Sequence, residues 1–193
     1  MRLLFSSILM GVMGGLSQAQ GPPPQIAIDT PYLTSPPHVV EAMLKLARVG
    51  SGDTVYDLGC GDGRIVISAA TRYGARGVGI DNNPVRIDEA RVNARNAGVV
   101  DRVNFELNDL FDADIRNATV VAVYLLPDVN LRLRSRLMRE LKPGTRIVSH
   151  TFDMGDWKPE RELNLDRPEQ ERSYLSRRLM LWIVPSTPRE TKP

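Results

Sequence analysis

The stretch Val55–Ala70, "VYDLGCGDGRIVISAA", joins a short apolar run to a helical one through a loop with glycine at 59, 61 and 63. The residues before it, "DTVYDLG", have the length and composition of a buried strand. Those after it, "GRIVISAATRYG", place apolar residues at helical spacing and end at Gly74. Strand, glycine loop and helix open a βαβ unit. Glycine in such a loop lets the backbone approach a ligand closely and adopt positive φ without a Cβ penalty. Asp57, two positions before Gly59, sets a carboxylate beside that loop.

The same alternation continues outward in both directions. "SPPHVVEAMLKLARVG" predicts a helix with Ser35 as N-cap and Gly50 as its stop. "ARGVGID" predicts a second strand ending in Asp81, followed by a helix with Pro84 in its first turn and Gly98 at its end. "RVNFELND" predicts a third strand. "ATVVAVYLL", apolar on both faces, predicts a central fourth. A helix with Leu131, Leu133, Leu137 and Leu141 on its apolar side comes next, then a fifth strand, "TRIVSHTF". "DWKPERELNLDRP" and "RSYLSRRLMLWIVP" suggest a closing antiparallel pair. Strands alternating with helices imply an α/β sheet of right-handed βαβ units.

Ligands of such sheets bind outside the carboxyl ends of the strands, so the glycine loop lies at the site. Asp81 falls about 20 positions after the first glycine, where an acid accepts hydrogen bonds from ribose hydroxyls. These features predict a nucleoside derivative. The dinucleotide fingerprint G-x-G-x-x-G would require glycine at 64, where Arg64 stands, and no G-x-x-x-x-G-K-[ST] loop is present. Asp57 would repel a phosphate and suit a cationic amino group.

The 193 residues are 42% hydrophobic and 25% charged, an ordinary globular composition. A net charge of +2 gives no argument for nucleic acid, and one cysteine excludes an internal disulfide framework or a Cys-rich zinc site. Residues 1–19, "MRLLFSSILMGVMGGLSQA", pair Arg2 and an apolar stretch with small residues at 17 and 19, the pattern of a secretory signal cleaved after Ala19. An uncleaved anchor and a start site placed too far upstream are the alternatives. The segment thus predicts an exported, periplasmic or membrane-anchored protein with an N-terminal membrane association. Residues 20–31, with three consecutive prolines, form a linker. Residues 32–184 form the domain, and the polar, proline-interrupted 185–193 a disordered tail.

"VYDLGCGDGR" together with "GVGIDNNP" resembles motif I and its acidic follow-up in class I S-adenosylmethionine (SAM)-dependent methyltransferases. The resemblance runs from about Pro31 to Val184 and implies a Rossmann-like, doubly wound, mostly parallel seven-stranded sheet with a closing antiparallel strand. "PYLTSPPHVVEAML", "YLLP" and "LKPGTRIVSHTF" are similar to the subgroup of mitochondrial protein-lysine methyltransferases. It implies SAM as cofactor, with Asp57, Gly59 and Gly61 facing its methionine part, Asp81 its ribose, Asn82 its adenine and Asp109 the adenine amino group. Tyr32 and Thr34 would close over it. The implied activity is methyl transfer to a protein lysine, a membrane protein being one option. A small-molecule acceptor and a SAM or nucleoside binder without transfer activity are alternatives. So, more weakly, is an oxidoreductase with a degenerate loop. Strand four ends "YLLPD" where many adenine and glutamine methyltransferases carry Asn/Asp-Pro-Pro-aromatic, which argues against a nucleic-acid acceptor. An exported enzyme would be separated from cytosolic SAM.

Methyl transfer from a sulfonium asks mainly for alignment, which supplies about 7–11 kcal/mol. A lysine must react as the neutral amine, which burial beside aromatic walls favours. Tyr124 and Pro127, at the tip of strand four, are candidates for that wall. Cys60 reads as a small spacer, and His150 as a base or a satisfied core group. Arg132, Arg134, Arg136 and Arg139 read as a solvated helix face or a surface for an acidic partner or lipid. No metal site is expected.

Overall fold

The architecture follows from where the apolar runs can be buried. The computed structural model describes residues 33–165 and 178–186. The expectations for residues 1–19 and 20–31, for Tyr32 and for the tail from 187 onward lie outside the described residues. In chain order the elements are α1 Pro37–Leu46, β1 Thr54–Leu58, α2 Arg64–Tyr73, β2 Arg76–Asp81, α3 Pro84–Asn96 and β3 Val103–Leu107. There follow β4 Val120–Val123, α4 Pro127–Glu140, β5 Arg146–His150, β6 Arg161–Asn164 and β7 Arg178–Ile183. The seven strands lie in the order β3-β2-β1-β4-β5-β7-β6. Strands β1 to β5 pair in parallel, and β7 runs antiparallel to both of its neighbours. This is the doubly wound sheet expected, with β6 and β7 as the antiparallel closure.

Strand direction and order put the site at one place. The chain winds outward from β1 through β2 to β3, then returns to place β4 on the other side of β1. The crevice above the carboxyl ends of β1 and β4 is the switch point where ligands of open sheets bind. Both central strands are buried: Val55–Leu58 and all four residues of β4. The pleat sends Val120 and Ala122 toward α1, α2 and α3, and Val121 and Val123 toward α4 and the segment after β5. Trp182 of β7 closes the second core, its ring nitrogen donating to the Trp157 carbonyl at 2.7 Å.

Three local signals read differently in the folded chain. Ser35 does not cap α1: Pro36 occupies that position and Pro37 begins the helix. Gly50 does not stop α1 either. The helix ends at Leu46, and Arg48 takes the left-handed conformation, φ 51°. Third, Leu131 faces outward, 46% exposed, whereas Leu133 and Leu137 are fully buried. This last difference is measurable. Leu133→Ala is expected to lower stability by about 2–5 kcal/mol, as for a buried leucine that leaves a cavity, and Leu131→Ala by under about 1 kcal/mol. Chemical denaturation of both variants checks which face of α4 carries the core.

Candidate active site

The loop after β1 folds back over β2. The Gly59 and Cys60 amides both donate to the Ile80 carbonyl, at 2.8 and 2.9 Å. Gly59 has φ 84°, and a Cβ there would stand 2.9 Å from Leu125, so the tip of β4 can approach β1 only over bare backbone. Gly63 has a different reason. At φ 78° it precedes α2, and a Cβ would lie 2.6 Å from the Phe105 ring of β3 and 3.0 Å from Ala90 of α3. It serves the packing of α2 and α3 on the sheet. Asn93 of α3 fixes the loop further, its side-chain amide donating to the Asp62 carbonyl at 3.0 Å.

Three carboxylates surround this loop and differ in how they are compensated. Asp81 accepts from the Gly61 amide through one oxygen, at 2.8 Å, and from the Asn83 amide through the other, at 2.9 Å. Asp62 pairs with Arg64, 2.5 Å between their nearest atoms. Burial opposes ionisation of Asp62, but the guanidinium holds it below the usual carboxylate range. Asp57 is 2% exposed and makes no hydrogen bond or ion pair among the described residues. Its desolvation, reinforced by the charges of Asp81 and Asp62, pushes it up to about 8. A buried acid left unpaired, with two more beside it, suits a ligand with positive charge.

Asp57 forms part of a small open cleft, together with Thr34, Gly59, Gly61, Asp62 and Tyr124. Thus Thr34, Asp57, Gly59, Gly61 and Tyr124 meet at one place, and Asp81 reaches it through the Gly61 amide. Asn82 is half-buried between Asp81 and the start of α3 but does not line the cleft. Asp109 lies after β3, where its carboxylate accepts from the Phe111 amide at 2.8 Å and closes a turn. Pro127 is exposed and begins α4, away from the cleft lining. Cys60 packs its sulfur against Gly79, and burial pushes its thiol above the ordinary range, which suits a spacer.

Several residues of the wall were not assigned to it by the sequence, Ser35 and Arg64 among them. Ser35 lines the cleft and shares a hydrogen bond of 2.8 Å with His150 Nδ1, at the end of β5. Arg64 also lines it and donates to the Ser35 carbonyl at 3.0 Å. The residue at the place of a dinucleotide glycine therefore ties the N-terminal segment down. His150 also lies against the Tyr124 ring, centroids 4.1 Å apart. The arginines of α4 are largely spent inside the domain. Arg134 pairs with Asp156, Arg136 with Glu140 and the Leu110 and Ala113 carbonyls, and Arg132 lies over the Phe111 ring.

The raised Asp57 has a thermodynamic signature. Between about pH 4 and pH 8 the folded chain holds a proton that the unfolded chain has lost, so this group contributes its stability fully below about pH 4 and loses it as pH rises through about 8. Asp57→Asn removes that term. The melting temperature of the ligand-free variant is expected to exceed that of the parent by a margin that grows from pH 5 to pH 8. A margin independent of pH would show that Asp57 is not the desolvated acid.

Comparison with known proteins agrees with this geometry. Residues 57–161 match the ANTKMT methyltransferase domain. The chain is 44% identical over 137 residues to a protein-lysine N-methyltransferase of Saccharolobus islandicus, covering 70% of this chain and 85% of that protein. It is 37% identical over 135 residues to the mouse adenine nucleotide translocase lysine N-methyltransferase, covering 69% of this chain and 58% of the relative. Among solved structures, an RNA methyltransferase from Salinibacter ruber in complex with S-adenosyl-L-homocysteine is 49% identical. It has a TM-score of 0.75 and covers 82% of this chain and 98% of its own. A SAM-dependent methyltransferase from Geobacter sulfurreducens, also with S-adenosyl-L-homocysteine, is 26% identical with a TM-score of 0.54, covering 70% and 52%. The unpaired Asp57, the acid-lined cleft and Asp81 beside the bare Gly61 backbone fit SAM, a nucleoside carrying a sulfonium and an ammonium. The chain belongs to the family of the ANTKMT methyltransferase domain and is a SAM-dependent methyltransferase.

Proposed function

We propose that this enzyme methylates the ε-amino group of lysine in a protein. The reading rests on one observation above all: Asp57, buried and without a partner among the described residues, lines the same cleft as Tyr124. Asp57 with the Gly59–Gly61 backbone would hold the amino-acid part of SAM, and Asp81 its ribose. Bound SAM supplies a methyl group already activated on sulfur. The work left to the chain is to hold the acceptor in line, exclude water and favour the neutral amine. Tyr124 suits those tasks: its ring is half-buried between the cleft and His150, and burial raises its own hydroxyl above the ordinary phenol range. The relatives in Saccharolobus islandicus and mouse, both described as lysine N-methyltransferases, support lysine as acceptor.

A second reading, RNA as acceptor, is favoured by the description of the Salinibacter ruber structure. Two features of this chain speak against it. The net charge is only +2, and Arg134 and Arg136 are committed to internal partners and unavailable for phosphates. Incubation of deuterated-methyl SAM with total protein and, separately, total RNA from the source organism decides between them. Methyllysine in the protein digest is the expected product. Methylated nucleosides without methyllysine would reverse the reading, and labelling of neither would favour a binder without transfer activity.

We further infer that residues 1–19 direct the protein to or across a membrane, with removal after Ala19. The support is the apolar run followed by small residues at 17 and 19. Mass spectrometry of the native N-terminus is expected to find a chain beginning at Gln20. Met1 retained in the membrane fraction would favour an anchor, and a soluble chain starting further downstream would remove the signal altogether.

A further inference from the structure

The turn after β5 is built with more restraint than a connection needs. Thr151 has φ 73°, a left-handed conformation that a β-branched residue rarely adopts. The Phe152 amide donates to the His150 carbonyl at 2.9 Å, so Thr151 is the centre of a three-residue turn of the rare, strained kind. Strain of this sort persists only where the surroundings impose it. Here they do. The Phe152 carbonyl accepts from Ser149 Oγ at 2.5 Å and from the Asn130 side-chain amide at 3.2 Å, and the same amide reaches the Asp153 carbonyl at 3.3 Å. Asn130 is fully buried in α4, and the Thr151 amide is held by the Arg178 carbonyl at 2.7 Å.

What this arrangement fixes is the Phe152 ring. It lies 6.4 Å from the Tyr124 ring at an interplanar angle of 18°, nearly parallel. Tyr124 lines the cleft; Phe152 does not, and stays half-buried. The aromatic surface therefore continues from the cleft outward past Tyr124. An acceptor must come to the activated methyl from outside the cofactor's own cleft, and this surface borders such a route.

We propose that Phe152 is a specificity-determining residue: with Tyr124 it forms the aromatic channel that receives the acceptor lysine chain, and the strained turn at Thr151 exists to hold its ring there. This rests on the protein-lysine reading above. The stem of a lysine is apolar and its amine must shed its proton, and a wall of two parallel rings favours both. Phe152 touches the acceptor and not the cofactor, so the two can be separated in kinetics.

The test uses the full-length enzyme with deuterated-methyl SAM and total protein extract titrated over a hundredfold range, with methyllysine quantified site by site. Phe152→Ala is expected to raise the apparent KM at each site at least tenfold, while SAM binding by calorimetry stays within twofold of the parent. If the alanine variant fails to fold, Phe152→Leu keeps the bulk without the flat ring and is expected to raise KM at least threefold, with Phe152→Tyr at the parent value. An unchanged KM in a folded variant overturns the proposal. So does a SAM affinity that falls as KM rises, which would mark Phe152 as support for the cofactor cleft. If the parent enzyme methylates RNA and no lysine, the acceptor reading falls and takes this proposal with it. If the parent yields methyllysine and the variants match it, only the channel falls.

Discussion

A carboxylate buried without a partner is among the more costly groups a small domain can carry, and the site is organised around one. Asp57 stands on a central strand, with β2 and β4 on either side of it. Its nearest charged neighbours, Asp81 and Asp62, are of like sign and make ionisation harder still. The Gly61 amide of the adjoining loop donates to Asp81. The ligand-free chain thus keeps one acid neutral across much of the ordinary pH range and leaves it to a cation to ionise it. The apolar core on both faces of the sheet holds the strand in place regardless. Without those two cores the acid would move into water and the site would lose its preference for positive charge.

The wall of the cleft has a second dependency. Ser35 precedes the first helix and is tied to two distant elements, to β5 through His150 and to α2 through Arg64. The His150 ring lies in turn against Tyr124. One imidazole therefore supports both the segment before α1 and the Tyr124 ring. A displacement of either is felt by the other through packed rings and a 2.8 Å hydrogen bond. Asp62 takes part as the anion that orients Arg64.

The sequence disclosed what depends on neighbours along the chain. Alternating apolar runs gave the strands and their helices. The loop at 59–63 and the acid at 81 were visible because a strand end, a turn and a following strand fix them within a short span. What escaped depends on distant partners. Ser35 before an apolar helix carries the signal of an N-cap, and only the fold reveals His150, 115 positions away, as its partner. Gly63 reads in the sequence as the start of a helix, and nothing local announces the Phe105 ring that excludes a side chain there. Leu131 breaks the four-residue spacing of Leu133, Leu137 and Leu141: two positions from Leu133, it lies about 200° round the helix and meets solvent. Asn130 and Thr151 had no local signature, since their meaning lies in carbonyls and angles that no residue pattern encodes.

The fate of the α4 arginines bears on how an acceptor is recognised. As a sequence they form a strongly basic face. Folded, Arg134 and Arg136 hold the loops after β5 and β3, and Arg132 covers an aromatic ring. With Asp57 holding its proton, the negative charge near the ligand-free cleft is that of Asp81 and of Asp62, the latter paired with Arg64. A field of that sign attracts a lysine ammonium and also keeps its proton in place, which opposes reaction. A cofactor carrying a sulfonium and an ammonium reverses that balance at the point where the amine must react. The carboxylates thus suit the cation that binds, and the positive charge of the bound cofactor favours the neutral amine. Long-range charge favours any cation alike, so selection among acceptors would fall to shape, as in the Tyr124–Phe152 surface proposed above.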